Sequence, residues 1–237
     1  MAGHSKWANI KHKKAKEDGK RAKVFTKLIK EITIAAREGG GNPDGNPRLR
    51  LLMEKAREAN MPIENTMRAI KKGTGELPGQ SYEECMYEGY GPNGIAVMVD
   101  VITDNKNRTV AEFRRLFSEN NGTLGETGTV AWMFEKQGVI NAIGKTTEDE
   151  LLEQLIDYDI KDIQIDGENI SIYCDSKSLA AVKNAVEKTG LKIENAALEW
   201  VAKTNVVLPE DKAEKAVEFL STLQDHDDVE NVYTNLG

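Results

Sequence analysis

The sequence predicts a multidomain α and α+β protein: an N-terminal helical bundle followed by two ferredoxin-like α/β domains, the last inserted into the middle one. Two observations predict this organisation. Residues 1–75 contain 18 Lys/Arg and 8 Asp/Glu (net +10), whereas residues 76–237 contain 14 and 31 (net −17). At the same place, after the Gly-rich stretch 73–79, helical periodicity gives way to alternating strands and helices.

The N-terminal region is predicted to form three short amphipathic helices. Over residues 20–37, apolar side chains fall in one sector of a helical wheel and most cations fall opposite. The sector contains Val24, Phe25, Leu28, Ile29, Ile32, Ala35 and Ala36. Glycines 39–41 end this helix, and Asn46-Pro47 supplies an N-cap and a first residue for the next. The third helix, over 62–73, carries Ile63, Met67 and Ile70 as apolar residues. Because each helix has only a partial apolar face, the three must pack together.

Strands and helices alternate in the rest of the chain. The pattern predicts strands at 82–88, 95–102 and 129–134, and Thr109-x-x-Glu112 predicts a capping box that opens a helix. Residues 139–197 then follow the order βαββαβ, the split arrangement of a ferredoxin-like fold. The tail adds a strand at 205–208, a helix after Pro209 and a strand at 229–233. We expect the tail to complete the middle sheet, so the predicted domains are 1–77, 78–134 with 205–237, and 135–204.

Composition excludes several classes of protein. No apolar run approaches the ~20 residues that a membrane span needs, and the N-terminus lacks the apolar segment of a secretory signal. Two cysteines, Cys85 and Cys174, indicate neither a disulfide framework nor a zinc site, which favours a reducing cytoplasm. No nucleophile motif or catalytic carboxylate pair is visible. We therefore expect a non-enzymatic protein with no metal, cofactor, small-molecule substrate or membrane partner.

Positive charge is concentrated at the N-terminus. The first 37 residues hold 11 Lys/Arg and 3 acids, which is typical of a segment that neutralises phosphates. Trp7 has two interpretations, packing in the bundle core or stacking on an unpaired base. The candidate nucleic-acid-binding residues are Lys6, Trp7, Lys11, His12, Lys13, Lys14, Lys16, Lys20, Arg21, Lys23, Lys27, Arg48 and Arg50.

Three loops have compositions that occur at ligand sites, but each is better explained structurally. The stretch 39–50 is a Gly-rich loop before a helix; it lacks the Gly-Lys-Ser/Thr of a P-loop, although Arg48 and Arg50 keep a phosphate contact open. Gly122-x-x-Gly125-x-x-Gly128 joins a helix to a strand, the reverse of a dinucleotide-binding turn. The acidic run 225–230 lacks calcium-loop spacing and is expected to be a solvated loop.

Several long motifs resemble the YebC/PmpR family across essentially the whole chain. They occupy residues 1–15, 25–31, 40–50, 87–92, 103–112, 122–131 and 227–233. The resemblance implies three domains, one helical and two α/β. It also implies a regulator of gene expression: family members are described as transcriptional regulators that bind promoter DNA, and others, including a mitochondrial translational activator, as ribosome-associated factors that help synthesis through proline runs. The resemblance implies no catalytic residue.

The residues themselves do not decide whether the bound polyanion is DNA or RNA. Lys outnumbers Arg nine to two in the first 37 residues, whereas Arg is the usual reader of guanine in duplex DNA. A Lys-rich surface with Trp7 and His12 suits irregular RNA, including ribosomal RNA or the ribosome, at least as well. Two further classes stay as alternatives: a protein-interaction module that uses the acidic domains, and a metal-dependent hydrolase that uses the acids of 225–230.

Overall fold

The computed structural model describes Trp7 and residues 21–237, with side chains described for Trp7 and from Lys23 onward. As predicted, helices come first and two four-stranded antiparallel sheets follow. The helices are α1 Arg21–Gly39, α2 Pro47–Glu58, α3 Ile63–Gly73, α4 Lys106–Glu119, α5 Glu148–Gln154, α6 Leu179–Lys188 and α7 Glu210–Gln224. The strands are β1 Glu83–Tyr90, β2 Ala96–Thr103, β3 Thr123–Leu124, β4 Phe134–Ile143, β5 Ile160–Asp166, β6 Asn169–Asp175, β7 Lys192–Ala202 and β8 Val229–Thr234. Over the described ranges, no helix is both long enough and apolar enough to cross a membrane.

Contacts divide the chain into two compact units. One unit is Ala131–Asn205, and the other combines Ser5–Val130 with Val206–Gly237. In the first, β4, α5, β5, β6, α6 and β7 follow one another, and the strands lie in the order β5-β6-β4-β7. The Thr147 hydroxyl and the Glu150 carboxylate form a capping box that begins α5. Apolar residues from the sheet and both helices fill this unit's own core.

The second unit contains the bundle and the other sheet. In the bundle, α1, α2 and α3 share one apolar core. The predicted cap is confirmed, because the Asn46 side chain accepts a hydrogen bond from Leu49 N and Pro47 follows as the first helical residue. The sheet has the order β3-β1-β2-β8, so the C-terminal strand pairs with β2. Its elements follow the order ββαβ and then αβ.

Three local predictions differ from the structure. Asn105 rather than Thr109 caps α4, because its side chain accepts from Arg108 N. Residues predicted as a strand at 129–134 form a 3-10 turn over Ala131–Met133, and β4 begins at Phe134. The predicted strand at 205–208 is a single bridge from Val206 to Leu236.

Helix α1 is buried on more of its surface than the helical wheel predicts. Ile34, outside the apolar sector, is fully buried, and Lys30 on the predicted polar side is buried as well, whereas Val24 is 44% exposed. The reason is that α1 has a second neighbour besides α2 and α3. The Lys30 ammonium donates to the carbonyls of Ile102 and Asp227, which belong to the end of β2 and the α7–β8 connection.

Lys30 also meets a buried carboxylate. Asp228 Oδ1 accepts from Lys30 Nζ at 2.8 Å, and Oδ2 accepts from Arg108 at 2.8 Å, Thr109 at 2.9 Å and Thr103 at 3.1 Å. Burial alone would raise the pKa of Asp228, but the hydrogen bonds from Lys30, Arg108 and Thr109 outweigh it and lower the pKa well below the ordinary value. The carboxylate therefore stays ionised and joins α1, β2 and α4 to the start of β8.

Lys30→Met should destabilise the protein strongly. The change removes the cation that binds Asp228 Oδ1 and the carbonyls of Ile102 and Asp227, and breaking a buried ion pair costs on the order of 3–5 kcal/mol. Urea unfolding at neutral pH measures the effect. The matched control is Lys145→Met, which removes an exposed ion pair with Glu168 and should change stability by about 0.5 kcal/mol or less. Equal effects of the two substitutions would contradict the assigned role of Lys30.

Candidate nucleic-acid interface

Part of the predicted interface lies outside the described residues. This holds for Lys6, Lys11, His12, Lys13, Lys14, Lys16 and Lys20, and for the side chain of Arg21, whose backbone begins α1. The described candidates are Trp7, Lys23, Lys27, Arg48 and Arg50.

Trp7 packs in the core. Its side chain is 3% exposed, among apolar residues of β2, α4, α7 and β8. The indole Nε1–H donates to the Val232 carbonyl at 3.0 Å, which satisfies its only polar group. The stacking interpretation of Trp7 is therefore corrected, because a ring buried against β8 has no free face for a base.

The two described lysines of the predicted interface bind the protein's own backbone. Lys23 Nζ donates to Asp225 O at 2.7 Å, and Lys27 Nζ approaches Gln224 O at 3.4 Å. These carbonyls end α7, where the helix dipole favours cations. Burial lowers the pKa of Lys27, although nearby Glu230 counteracts it. The described stretch of α1 thus uses its lysines to hold α7 and the segment after it.

Arg48 and Arg50 also have partners inside the unit. Arg48 pairs with Glu38 at 3.0 Å and with Glu84 on β1. Arg50 donates to the carbonyls of Pro43 and Asp44 at 3.2 and 3.0 Å, which stabilises the loop before α2. The structural interpretation of the 39–50 loop accounts for both side chains.

The glycine-rich segment 122–128 does bind an anion, but one that belongs to the protein. The carboxylate of buried Glu88 accepts from Gly128 N at 2.8 Å and from Val130 N at 2.9 Å. Gly125 N donates to the Glu88 carbonyl at 2.8 Å. The loop therefore has a structural role at the end of β1.

The acidic run 225–230 is only partly solvated, because Asp225 and Asp227 are exposed whereas Asp228 is buried. Besides Asp228, its residue Glu230 is largely buried and its carboxyl group interacts with that of Glu31 on α1. Burial, and then the neighbouring Glu31 charge, raise the pKa of Glu230 to about 8, against the opposing effect of Lys27 and Lys30. Burial also raises the pKa of Glu31. Because two ionised carboxylates at this spacing repel each other, we expect the pair to share a proton near neutral pH.

One group of side chains has the composition of a metal site. Ligand atoms of Glu112, His226 and Asp228 lie within 4.8 Å of one another. However, His226 Nδ1 accepts from Asp228 N at 3.1 Å, so Nε2 carries the proton that it shares with Glu112 at 2.8 Å. Both Asp228 oxygens already accept from cations. A metal ion would have to displace these partners, so the group is better described as a hydrogen-bonded cluster.

The sequence reasoning missed one exposed surface. Ile63 and Met67, predicted as apolar residues that pack into the bundle, are 63% and 44% exposed on α3. Arg68, Lys71 and Lys72 are exposed on the same helix, and none takes part in an ion pair within the described ranges. A wheel that places every apolar residue inward cannot detect such a surface, whereas the run of cations on the side opposite Ala69 and Ile70 would have indicated it.

The Glu31–Glu230 pair makes stability depend on pH. Because both carboxyl pKa values are raised by folding, the folded protein binds more protons than the unfolded chain between about pH 4.5 and about pH 8, and stability falls as pH rises through that window. Glu230→Gln keeps a donor for Glu31 and removes the shared proton. Urea unfolding from pH 5.5 to 8.5 should show a steeper loss for the wild type than for Glu230→Gln. Parallel curves would contradict the shared proton, and the exposed control Glu168→Gln should follow the wild type.

Comparison with known proteins identifies relatives over nearly the full length. Residues 5–76 match the family described as "TACO1/YebC protein N-terminal domain", and residues 82–236 match "TACO1/YebC second and third domain". A protein of Dictyoglomus turgidum named "Probable transcriptional regulatory protein" is 49% identical, over 99% of this chain and 95% of its own length. A protein of Chlorobium chlorochromatii with the same name is 49% identical, over 100% and 95%.

A solved structure agrees with these matches. The crystal structure of a conserved hypothetical protein from Aquifex aeolicus is similar, with a TM-score of 0.82 and 45% identity over 93% of this chain and 91% of that chain. Sequence and fold thus agree across both units, and the chain belongs to the TACO1/YebC family.

Proposed function

We propose that this protein is a non-enzymatic regulator of gene expression that binds DNA through its basic N-terminal domain. The observation that carries the proposal is the separation of charge, net +10 over residues 1–75 and net −17 over the remainder. Relatives named as probable transcriptional regulatory proteins support a regulatory role. We place this activity in the cytoplasm.

The charge separation supports a directional contact with a polyanion. Lysines that neutralise phosphates release counterions, which produces strong and salt-sensitive affinity. The acidic remainder repels the same polyanion, so only the N-terminal domain can approach it closely. The lysines at positions 6, 11, 13, 14, 16 and 20 carry this contact in the proposal.

A role without catalysis is supported by the state of the buried ionisable groups. Asp228 is bound by two cations and two hydroxyls, and Glu230 is paired with Glu31. His226 is held by Glu112 and a backbone N–H. The hydrogen bonds of Asp228 and His226 are made to groups of the protein itself, which favours a structural role for them over that of a general acid or base.

The second candidate is a translation factor that contacts ribosomal RNA or tRNA on the ribosome. The observation that favours it is the nine-to-two excess of Lys over Arg in the first 37 residues. Lys contacts phosphates as a point charge, whereas the planar Arg side chain reads guanine with two hydrogen bonds. The two candidates predict different preferred ligands for the same lysines.

We further propose the three-domain description, with an inserted ferredoxin-like domain. The strand order β5-β6-β4-β7 and the succession of elements support that fold for the unit Ala131–Asn205. The pairing of β8 with β2 supports a discontinuous middle domain made from 78–134 and 205–237.

Substitution of the N-terminal lysines tests the function. Lys11, Lys13, Lys14 and Lys16 are changed together to Gln, and binding to duplex DNA and to structured RNA is measured at several salt concentrations. For each phosphate that is no longer neutralised, the log–log salt slope should fall by about 0.9 on duplex DNA or about 0.7 on single strands. The control removes four exposed lysines of the other unit: Lys145, Lys177, Lys188 and Lys192.

The comparison separates the two candidates. If the N-terminal lysine variant loses DNA binding and the control variant does not, the DNA regulator is supported. If the wild type binds structured RNA more tightly than DNA, and the N-terminal substitutions weaken that RNA binding, the translation factor is supported. A flat salt response of the wild type on both ligands would overturn the nucleic-acid function altogether.

A further inference from the structure

The described part of the bundle contains two kinds of cation, and only one kind is free to meet a ligand. Lys23, Lys27 and Lys30 of α1 are bound to carbonyls and to Asp228. On α3, Arg68, Lys71 and Lys72 are exposed, and none has an ion pair or a side-chain hydrogen bond within the described ranges. The free cations of α3 lie on a helix that the sequence reasoning did not assign to nucleic acid.

The exposed side of α3 is one continuous stripe. It consists of Ile63, Glu64, Met67, Arg68, Lys71 and Lys72, which we call the α3 stripe. Positions i, i+1, i+4, i+5, i+8 and i+9 lie on one side of an α-helix. The first half of the stripe presents two apolar side chains and the second half presents three cations, with Glu64 as the one acid of the stripe.

The opposite side of α3 is fixed against α1. Thr66, Ala69 and Ile70 are buried, and a Cβ at Gly73 would lie only 2.3 Å from Thr33 O, so the two helices approach closely at that point. The connection that precedes α3 is short and contains Asn60 at φ 57°, in the left-handed region. The stripe is thus presented on a rigid helix and cannot turn inward.

The chemistry of the stripe matches the exposed surface of duplex DNA. The major groove admits an α-helix, and helices that enter it place N-terminal residues against base edges. Apolar side chains contact the thymine methyl group, and cations further along contact phosphates. An acidic partner with no apolar groups would leave Ile63 and Met67 unused.

We propose that the α3 stripe is the part of the bundle that docks in the major groove of duplex DNA. Arg68, Lys71 and Lys72 contact backbone phosphates, and Ile63 and Met67 contact base edges. This inference rests on the proposed DNA-binding function and assigns it a contact surface.

Two variants test the surface. The first carries Arg68→Gln, Lys71→Gln and Lys72→Gln, and the second carries Ile63→Gln and Met67→Gln; all five side chains are exposed, so both proteins should fold. The control carries Lys177→Gln, Lys188→Gln and Lys192→Gln, three exposed lysines of the unit Ala131–Asn205. Fluorescence anisotropy measures binding to DNA duplexes selected by the wild type and to random duplexes, with circular dichroism as the check on folding.

The expected results differ between the variants. The first should weaken binding to every duplex by about 10-fold or more and reduce the log–log salt slope by roughly 2.7, about 0.9 for each cation. The second should weaken binding to selected duplexes more than to random ones and leave the slope unchanged. The control should bind like the wild type.

Other outcomes overturn one proposal or the other. If the wild type binds no duplex, the proposed function fails. If the wild type binds and the N-terminal lysine variant is weakened, but both α3 variants behave like the control, the function stands and the α3 surface is overturned. Loss of binding only to structured RNA, or only to a protein, would also overturn the assignment to duplex DNA.

Discussion

The buried carboxylate of Asp228 is the interaction on which the second unit depends. It lies just before β8, yet its partners come from α1, from the end of β2 and from the first turn of α4. An ionised carboxylate is tolerated in such a place only when donors surround it. The requirement operates in both directions, because Lys30 is equally buried and would be costly without Asp228. The buried ion pair between Lys30 and Asp228, together with apolar contacts, therefore positions the bundle against the sheet.

This constraint divides the basic residues of α1 from those of α3. Lys23 and Lys27 lie two turns and one turn before Lys30 on α1 and bind the carbonyls that end α7. Their charge thus serves to hold the C-terminal segment against the bundle. Phosphate binding by these two lysines would have to compete with intramolecular hydrogen bonds, whereas Arg68, Lys71 and Lys72 face no such competition from the residues that the structure describes. The number of cations in the sequence therefore overestimates the number that can bind a ligand in this protein.

Local patterns predicted the local elements well. Apolar periodicity and glycines 39–41 located α1, and Asn46-Pro47 located the start of α2, because caps and breakers act within a few residues. The same reasoning failed wherever a side chain bonds to a residue that is distant in the sequence. Thr109 has the spacing of a capping box, but its hydroxyl bonds to Thr103 and to Asp228, which lies 119 residues away. A helical wheel also assumes that a helix packs on one side only. Helix α1 packs on two sides, so Lys30 and Ile34 are buried although the wheel placed them outside the apolar sector.

The site was less predictable than the fold, and the reason is physical. Trp7, the 122–128 loop and the acidic run each have a composition that occurs at ligand sites, yet the fold supplies each with an internal partner: Val232, Glu88, or the Lys30–Arg108 pair. Polar groups that leave water must find partners inside the protein, and those partners cannot be read from spacing. The informative residues for function are therefore the polar and apolar groups that the fold leaves exposed and unsatisfied. By that criterion α3, rather than α1, is the helix whose described side chains are available to a ligand.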